Sequence, residues 1–434
     1  MSLAKNSVIY PLSNVNKQSQ SILIQRGEGS YVLDENGRRY LDLNSGLWNV
    51  PLGYGLRQYE RIVAEQCHTL HYVNLISASS PKTDQFADEM IDYAGGGFVR
   101  LVYACSGSEA VECAVKIARK YMHISGQPER KVILSFDMSY HGTTCAAISV
   151  SGMVKETVEY APLMEGVRFL RTPFFPGING AEKEEKEREE YLKDLEKNFR
   201  EQDVAAVLLE PVMGSGGIIS LPDWYQTRLF DLIRRYGVVL IADEVATGFG
   251  RTGCKFASEK FSVNPDLLCL SKAVTNGIMP MGAVLINGRI ADAYASKNEY
   301  INHFSTQNGN PIACAIGCET LRLIDEKMIR TINRQSDQWR TLLEVLRQGQ
   351  PHIREIRIQG LMIAIDLVDN EENPLSMDEL NLLESFALRQ GMLLYIFQCP
   401  GRTAGLMLMP PYELTKEEVA RAARALDKVI ESIG

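Results

Sequence analysis

Short apolar runs that end in small or polar residues recur through the middle of this chain, each followed by an amphipathic stretch. "RLVYA" (100–104) precedes "SGSEAVECAVKIARKYM", and "KVILSF" (131–136) precedes "DMSYHGTT". "VAAVLLE" (204–210) precedes a glycine-rich loop and then "PDWYQTRLFDLIRRYG". "VVLIADE" (238–244), "DLLCLSK" (266–272) and "GAVLING" (282–288) continue the series. Strands of this kind are apolar on both faces, and their alternation with helices builds a mostly parallel sheet covered on both sides. The pattern predicts a large α/β domain over residues 62–320.

The two ends have another texture. Residues 22–45 alternate around the turns "GEGS" and "ENGR", as antiparallel hairpins do. Beyond residue 320 a helical pattern gives way to "IREIRIQGLMIAIDLV", a hairpin-like pair around Gly360, and then to a last helix from Thr415. Residues 1–61 and 321–434 are expected to form one smaller α+β domain. The run "AEKEEKEREE" (181–190) repeats opposite charges at three- and four-residue spacing, which predicts a solvated helix face.

With 434 residues the chain exceeds one small core, and 45% hydrophobic and 23% charged residues are ordinary for a soluble enzyme. A net charge of −8 argues against a nucleic-acid partner or a polybasic membrane surface. The nine cysteines are scattered and contain no Cys-x-x-Cys pair, and His68 and His71 have no partner ligands nearby in sequence. No disulfide framework and no metal site are expected, and a reducing cytoplasm fits best. "MSLAKNSVIYPLSN" at the start lacks the apolar core of a secretory signal, and no run is long enough to span a bilayer.

In open α/β sheets ligands bind beyond the carboxyl ends of the strands, so the polar residues there are read together. In "CSGSEA" (105–110), Ser106 and Glu109 have capping-box spacing, which gives Glu109 a structural role. Gly107 permits close backbone approach, and Ser108 adds a hydroxyl beside free helix N–H groups, which together suit a phosphate. A capped turn without ligand fits the same residues. In "IADEVATGFGRTG" (241–253), Asp243 and Glu244 point to opposite faces, so one carboxylate faces the site. It would hold a protonated ring nitrogen, or it caps the next segment. "SYHGTT" (139–144) offers Tyr140 to stack on a planar ring, and His141 is either a general base or, the simpler reading, packed beside the ligand without proton transfer.

In "LLCLSKAVTNG" (267–277), Lys272 follows a buried run directly, where an ammonium is costly to dehydrate. It either reaches solvent or is kept near the interior for its chemistry. A phosphate cradle, an aromatic plate, an anion for a ring nitrogen and a half-buried lysine are together what pyridoxal phosphate needs. The lysine must lose its proton to attack an aldehyde, and burial favours that loss.

These stretches resemble the class III (ω-type) aminotransferases of the fold-type I pyridoxal-phosphate family. The motifs that carry the resemblance are "SGSEAVECAVKIAR", "YHG", "EPVMGSGG", "ADEVATGFGRTG", "PDLLCLSKAVTNG" with "PMGAV", and "HFSTQNGNP", in family order from about residue 27 onward. The resemblance implies that Lys272 bonds the cofactor and moves the substrate proton. Asp243 would pair with the ring nitrogen, with Val245 and Tyr140 on the two ring faces. Gly107 and Ser108 would hold the phosphate, and Glu210 would lie near the cofactor. Thr306 would reach the phosphate of a neighbouring subunit, which makes a homodimer the catalytic unit.

Some positions depart from the family pattern. Relatives that handle GABA or ornithine carry a second glutamate after "EP", where this chain has Ser215. "GLWNVPLGYG" (46–55) resembles the broad-specificity amine and β-alanine–pyruvate type, placing Trp48 at the pocket mouth, with core packing an equal alternative. Where many relatives carry a carboxylate-binding arginine, this chain has Tyr395, and its longer segment carries Arg402. Arg402 is either a displaced carboxylate binder or a solvent-facing loop residue, the simpler reading. The expected activity is a ping-pong transamination from an amine or amino acid to a carbonyl acceptor. A racemase or aminomutase would use the same Lys272. A cofactor-binding protein without turnover is disfavoured by the intact lysine, Asp243 and phosphate loop.

Overall fold

The structure, a computed structural model of the chain, describes residues 8–11, 22–153, 157–175 and 181–433. Apart from residues 8–11, the N-terminal stretch without a secretory pattern lies outside them. Among the described residues no helix is long and apolar enough to cross a membrane.

Residues 22–45 form the two expected hairpin turns. β1 (Ile24–Glu28), β2 (Tyr31–Asp34) and β3 (Arg39–Asp42) pair antiparallel in sequence order. The central sheet follows, with β4 (Phe98–Ala104), β5 (Val132–Phe136), β6 (Val167–Leu170), β7 (Val204–Leu209), β8 (Val239–Asp243), β9 (Leu267–Leu270) and β10 (Gly282–Asn287). They are ordered β4-β10-β9-β8-β7-β5-β6. Neighbours from β9 to β6 run parallel, and β10 runs antiparallel to both β9 and β4. Each parallel step here has a crossover long enough to return the chain, whereas the short link from β9 to β10 only permits reversal. β7, β8 and β9 are buried along their whole length, the burial that continuous Val/Ile/Leu/Ala runs predict. β6 was not expected: "VRFL" is a four-residue edge strand, mostly half-exposed, without an apolar run to announce it.

The helix Gly107–Ile124 turns Ala110, Val111, Ala114, Ile117 and Ala118 into the core beneath the sheet. The charged run lies in the helix Ala181–Arg200, where Glu184–Arg188, Glu189–Lys193 and Glu196–Arg200 pair at i,i+4. Exposed pairs of this kind add only a few tenths of a kcal/mol each.

After the helix Glu326–Gly349 come β11 (Ile353–Gln359) and β12 (Met362–Leu367), the hairpin around Gly360. β13 (Met392–Leu393), β14 (Tyr395–Cys399) and β15 (Thr403–Leu408) complete the strands. β13 adds to β3 in parallel, so the two chain ends share one sheet, while β11-β12-β15-β14 form another. The last helix, Lys416–Ile430, starts at Thr415 with a capping box closed by Glu418. One continuous apolar core joins Phe86, Leu268 and Leu270 to Ile363, Leu406 and Leu426. The motif "GFGRTG" sits at this seam. Buried Arg251 donates to Pro410 O at 2.7 Å, and its own carbonyl accepts Leu361 N at 2.9 Å.

Candidate active site

The carboxyl ends of β4, β7, β8 and β9 open onto one cavity of about 160 Å³. Its wall comprises Trp48, Ser106, Gly107, Ser108, Tyr140, His141, Gly142, Glu210, Asp243, Val245, Ala246, Ser271 and Lys272.

Lys272 stands two residues beyond the buried β9, at the start of the 3-10 turn Lys272–Thr275. Its φ of +46° lies in the left-handed region, which costs a side-chain-bearing residue roughly 1–2 kcal/mol. Functional sites are where such strain is kept. The side chain is exposed only in part, and its Nζ lies 4.8 Å from the centre of the Trp48 ring. Burial pushes the amine pKa down, against the opposing pull of the Asp243 and Glu210 carboxylates.

Asp243 ends β8 with its carboxylate toward the cavity. Oδ1 accepts Val245 N at 3.1 Å, and Oδ2 lies 2.7 Å from His141 Nδ1. An ionised carboxylate only accepts, so His141 Nδ1 carries the proton there. His141 Nε2 is buried without a protein partner. Glu244 points the opposite way, into the core, where it accepts Thr247 Oγ1 and Ser258 N. Alternation along the strand thus sends one carboxylate to the site and the other to the scaffold.

Glu210 follows β7 and bridges two loops, accepting Tyr140 N at 2.9 Å and Gly214 N at 3.0 Å. Burial, reinforced by Asp243 and opposed by His141, raises its pKa to about 7. Tyr140 is half-buried, and burial raises its phenol pKa.

The turn into Gly107–Ile124 is built without spare room. A Cβ at Gly107 would stand 2.8 Å from Val245 Cγ1, and one at Gly142 would stand 2.1 Å from Ser108 Oγ. Ser106 Oγ accepts Glu109 N at 3.2 Å, as its spacing predicts. The Glu109 carboxylate reaches back one residue further than a capping box does, to Cys105 N at 2.8 Å. The remaining first-turn N–H groups lack intrahelical partners, and an anion suits them.

The sequence model of the family described as Aminotransferase class-III matches residues 12–430. The chain belongs to the class III aminotransferases. It is 32% identical over 419 residues to gamma aminobutyrate transaminase 3 (chloroplastic) of Solanum lycopersicum, covering 92% of this chain and 78% of that one. It is 31% identical over 360 residues to the putrescine–pyruvate aminotransferase of Pseudomonas aeruginosa, covering 81% of this chain and 78% of that one. Its fold is similar to that of an amine transaminase from an uncultivated Pseudomonas species in the PLP-bound form, with a TM-score of 0.90 and 32% identity. That likeness covers 99% of this chain and 100% of the other. The aminotransferase is a fold-type I transaminase that uses pyridoxal phosphate. Nothing in these likenesses supports a racemase. The residues present fit the cofactor. Gly107 and Gly142 leave the backbone bare beside Ser108, Asp243 is a fixed anion, and burial holds Lys272 toward its neutral form.

Of the residues singled out from sequence, Lys272, Asp243, Val245, Tyr140, Glu210, Gly107, Ser108 and Trp48 line this cavity of the aminotransferase. Trp48 lines the cavity and is also buried against Val212, Met362, Phe397 and Met407. Tyr395 stands edge-on behind it, ring centres 6.1 Å apart. Thr306 is exposed and outside its own chain's cavity, with its carbonyl accepting Tyr72 Oη at 2.9 Å. Arg402 is half-buried and absent from the cavity wall, and its guanidinium donates to Thr172 O at 2.7 Å and pairs with Asp137 at 3.2 Å. Ser106, Gly142, Ala246 and Ser271 also line the cavity. Ser106 was read from sequence as a helix cap, and Gly142, Ala246 and Ser271 each adjoin a residue already singled out, which was their one available signal.

Proposed function

We propose that the enzyme transfers the amino group of apolar primary amines to a small 2-oxo acid. One observation carries this reading. Trp48, packed with Tyr395, Phe397, Met362 and Met407, is the bulkiest apolar side chain lining the cavity, and Lys272 is the only lysine or arginine among the described lining residues. Arg402 is engaged by Asp137 and Thr172, so a donor carboxylate would meet no standing positive partner. Ser215 in place of a second glutamate points the same way.

Pyridoxal phosphate, when bound, supplies the aldehyde that takes up the amino group and a ring that delocalises electrons from the substrate carbon. Gly107 and Ser108 would hold the phosphate at the positive end of the helix Gly107–Ile124. Tyr140 and Val245 would flank the ring. Asp243, oriented by His141, would accept a charge-assisted hydrogen bond from the ring nitrogen. Glu210 holds the Tyr140 and Gly214 loops at a fixed distance from that carboxylate. Lys272 Nζ, whose pKa burial lowers, would be the nucleophile toward the cofactor and the base that removes and returns the substrate proton. Trp48 limits the orientation of the substrate so that the reacting bond faces Lys272.

The catalytic unit in this reading is a homodimer in which each chain lends Thr306 to its neighbour's phosphate. Its exposed position outside its own cavity supports that role. A division into a large domain of residues 62–320 and a small one from both ends is supported by the pairing of β13 with β3. Buried thiols at Cys113, Cys269, Cys314 and Cys318 form no disulfide, which suits the cytoplasm.

The test is a donor comparison with pyruvate as acceptor, following cofactor absorbance. 1-Phenylethylamine is expected to exceed 4-aminobutyrate and ornithine in kcat/KM by tenfold or more, on the order of the cost of burying an unpaired carboxylate. A preference for either amino acid would overturn the apolar-amine reading.

A further inference from the structure

The stretch from Glu299 to Asn310, which contains Thr306, has no helix or strand, yet it is fastened along one face of the helix Gly107–Ile124. Lys120 Nζ pairs with Glu299 at 2.8 Å and donates to Tyr300 O at 2.6 Å. Lys116 Nζ donates to Asn302 O and lies 3.5 Å from His303 Nδ1. His303 Nε2 lies 3.1 Å from Glu109 Oε1. Glu109, Lys116 and Lys120 are spaced seven and four apart, so a single helix face carries all three anchors.

Glu109 is the junction. Its other oxygen accepts Cys105 N at 2.8 Å, at the turn that presents Gly107 and Ser108 to the cavity. One carboxylate therefore grips both the phosphate cradle and the Thr306 stretch. The carboxylate only accepts, which makes His303 Nε2 a donor and leaves Nδ1 free to accept from Lys116. The ring is largely buried, and burial together with Lys116 favours this neutral form.

We propose that His303 is a positioning residue. Its bond to Glu109 sets the height of Thr306 relative to the cradle, so one helix links a subunit's own phosphate site to the residue it lends to its neighbour. This rests on the reading above that Thr306 serves the partner's cofactor. His303→Leu keeps the volume and removes the donor. It is expected to weaken pyridoxal phosphate binding about tenfold and to speed cofactor release, with kcat near wild type at saturating cofactor. His303→Gln, whose amide nitrogen can donate to Glu109, is expected to recover most of that loss. Should the leucine variant not fold, Glu109→Gln weakens the same bond while preserving the link to Cys105 N.

Hybrid dimers purified through two affinity tags separate the two layers of the argument. Pairing Lys272→Ala with Thr306→Ala leaves one site with its own lysine and an intact borrowed threonine, so activity at limiting cofactor should return. Pairing Lys272→Ala with His303→Leu should restore wild-type cofactor affinity at the one competent site in the same way. Recovery with Thr306→Ala but not with His303→Leu would overturn the proposal, as would equal affinity of the leucine variant and wild type. Failure of both pairings would overturn the cross-subunit reading, and this proposal with it.

Discussion

Burial acts on Glu210 and Lys272 in the same direction, toward loss of charge, and the two sit in the wall of one cavity. The Glu210 pKa of about 7 means that the folded protein keeps a proton which the unfolded chain releases in the ordinary carboxylate range. Between those two values the native state binds more protons, so stability falls as pH rises. The contribution is complete below the unfolded carboxylate pKa and is gone above about pH 7, on the order of 3 kcal/mol across that window. Glu210→Gln cannot titrate. In cofactor-free protein, the Tm advantage of wild type over Glu210→Gln should therefore shrink from pH 5 to pH 8. An advantage that stays level or grows would show that Glu210 is ionised throughout. At this scale the sequence discloses the chemical types at the strand ends, because β-strand alternation needs only local order. It does not disclose pairings. Asp137 and Thr172, which engage Arg402, lie 265 and 230 positions away along the chain.

Four successive residues, Ser45, Gly46, Leu47 and Trp48, have φ of +46°, +56°, +61° and +67° and form one left-handed turn that delivers Trp48 to the cavity. Each of the three with side chains costs roughly 1–2 kcal/mol there. Asp42, buried at the end of β3, offsets this. Its carboxylate accepts Asn44 N, Gly46 N and Tyr54 Oη at 3.0, 2.8 and 2.6 Å, and Ser45 Oγ donates to Met409 O. Asp42→Asn removes the charge and turns an acceptor into a donor. A loss of about 1.5–3 kcal/mol in stability is expected, by the usual worth of hydrogen bonds to charged groups. The KM for amine donors should rise more than kcat falls, since Trp48 positions rather than reacts. Denaturant titration and steady-state kinetics check the two parts. Unchanged KM would mean that Trp48 holds its place without the turn. Elements of this kind are illegible in sequence, since Gly46 is the only one of the four that favours positive φ. The buried strands β7, β8 and β9 were legible because burial on both faces writes an unbroken apolar run. β6 at the sheet edge writes none, and the antiparallel entry of β10 depends on a link length that matters only once its neighbours are known.

Across the whole molecule, the cavity and the core tie the chain's ends to its middle. Trp48 comes from the N-terminal segment, its aromatic neighbour Tyr395 from β14, and Lys272 from the central sheet. Among the described residues the largest apolar cluster runs from Phe86 through Leu268 to Leu426, and Arg251 fastens the central loops to Leu361 and Pro410. Parts that share one core and one ligand site have little reason to unfold separately. A ligand that binds only the native state then stabilises everything cooperative with its site, by about 4 kcal/mol when present at about a thousand times its Kd. Calorimetry of the cofactor-free protein is expected to show one transition, and added pyridoxal phosphate should move all of it upward by several degrees. Lys272→Ala should retain part of that shift, because the phosphate cradle and Asp243 remain while the covalent contribution is lost. Two transitions, only one of which responds to the cofactor, would show that the segments of β11 to β15 fold apart from the central sheet, and that the shared core couples them too weakly to matter.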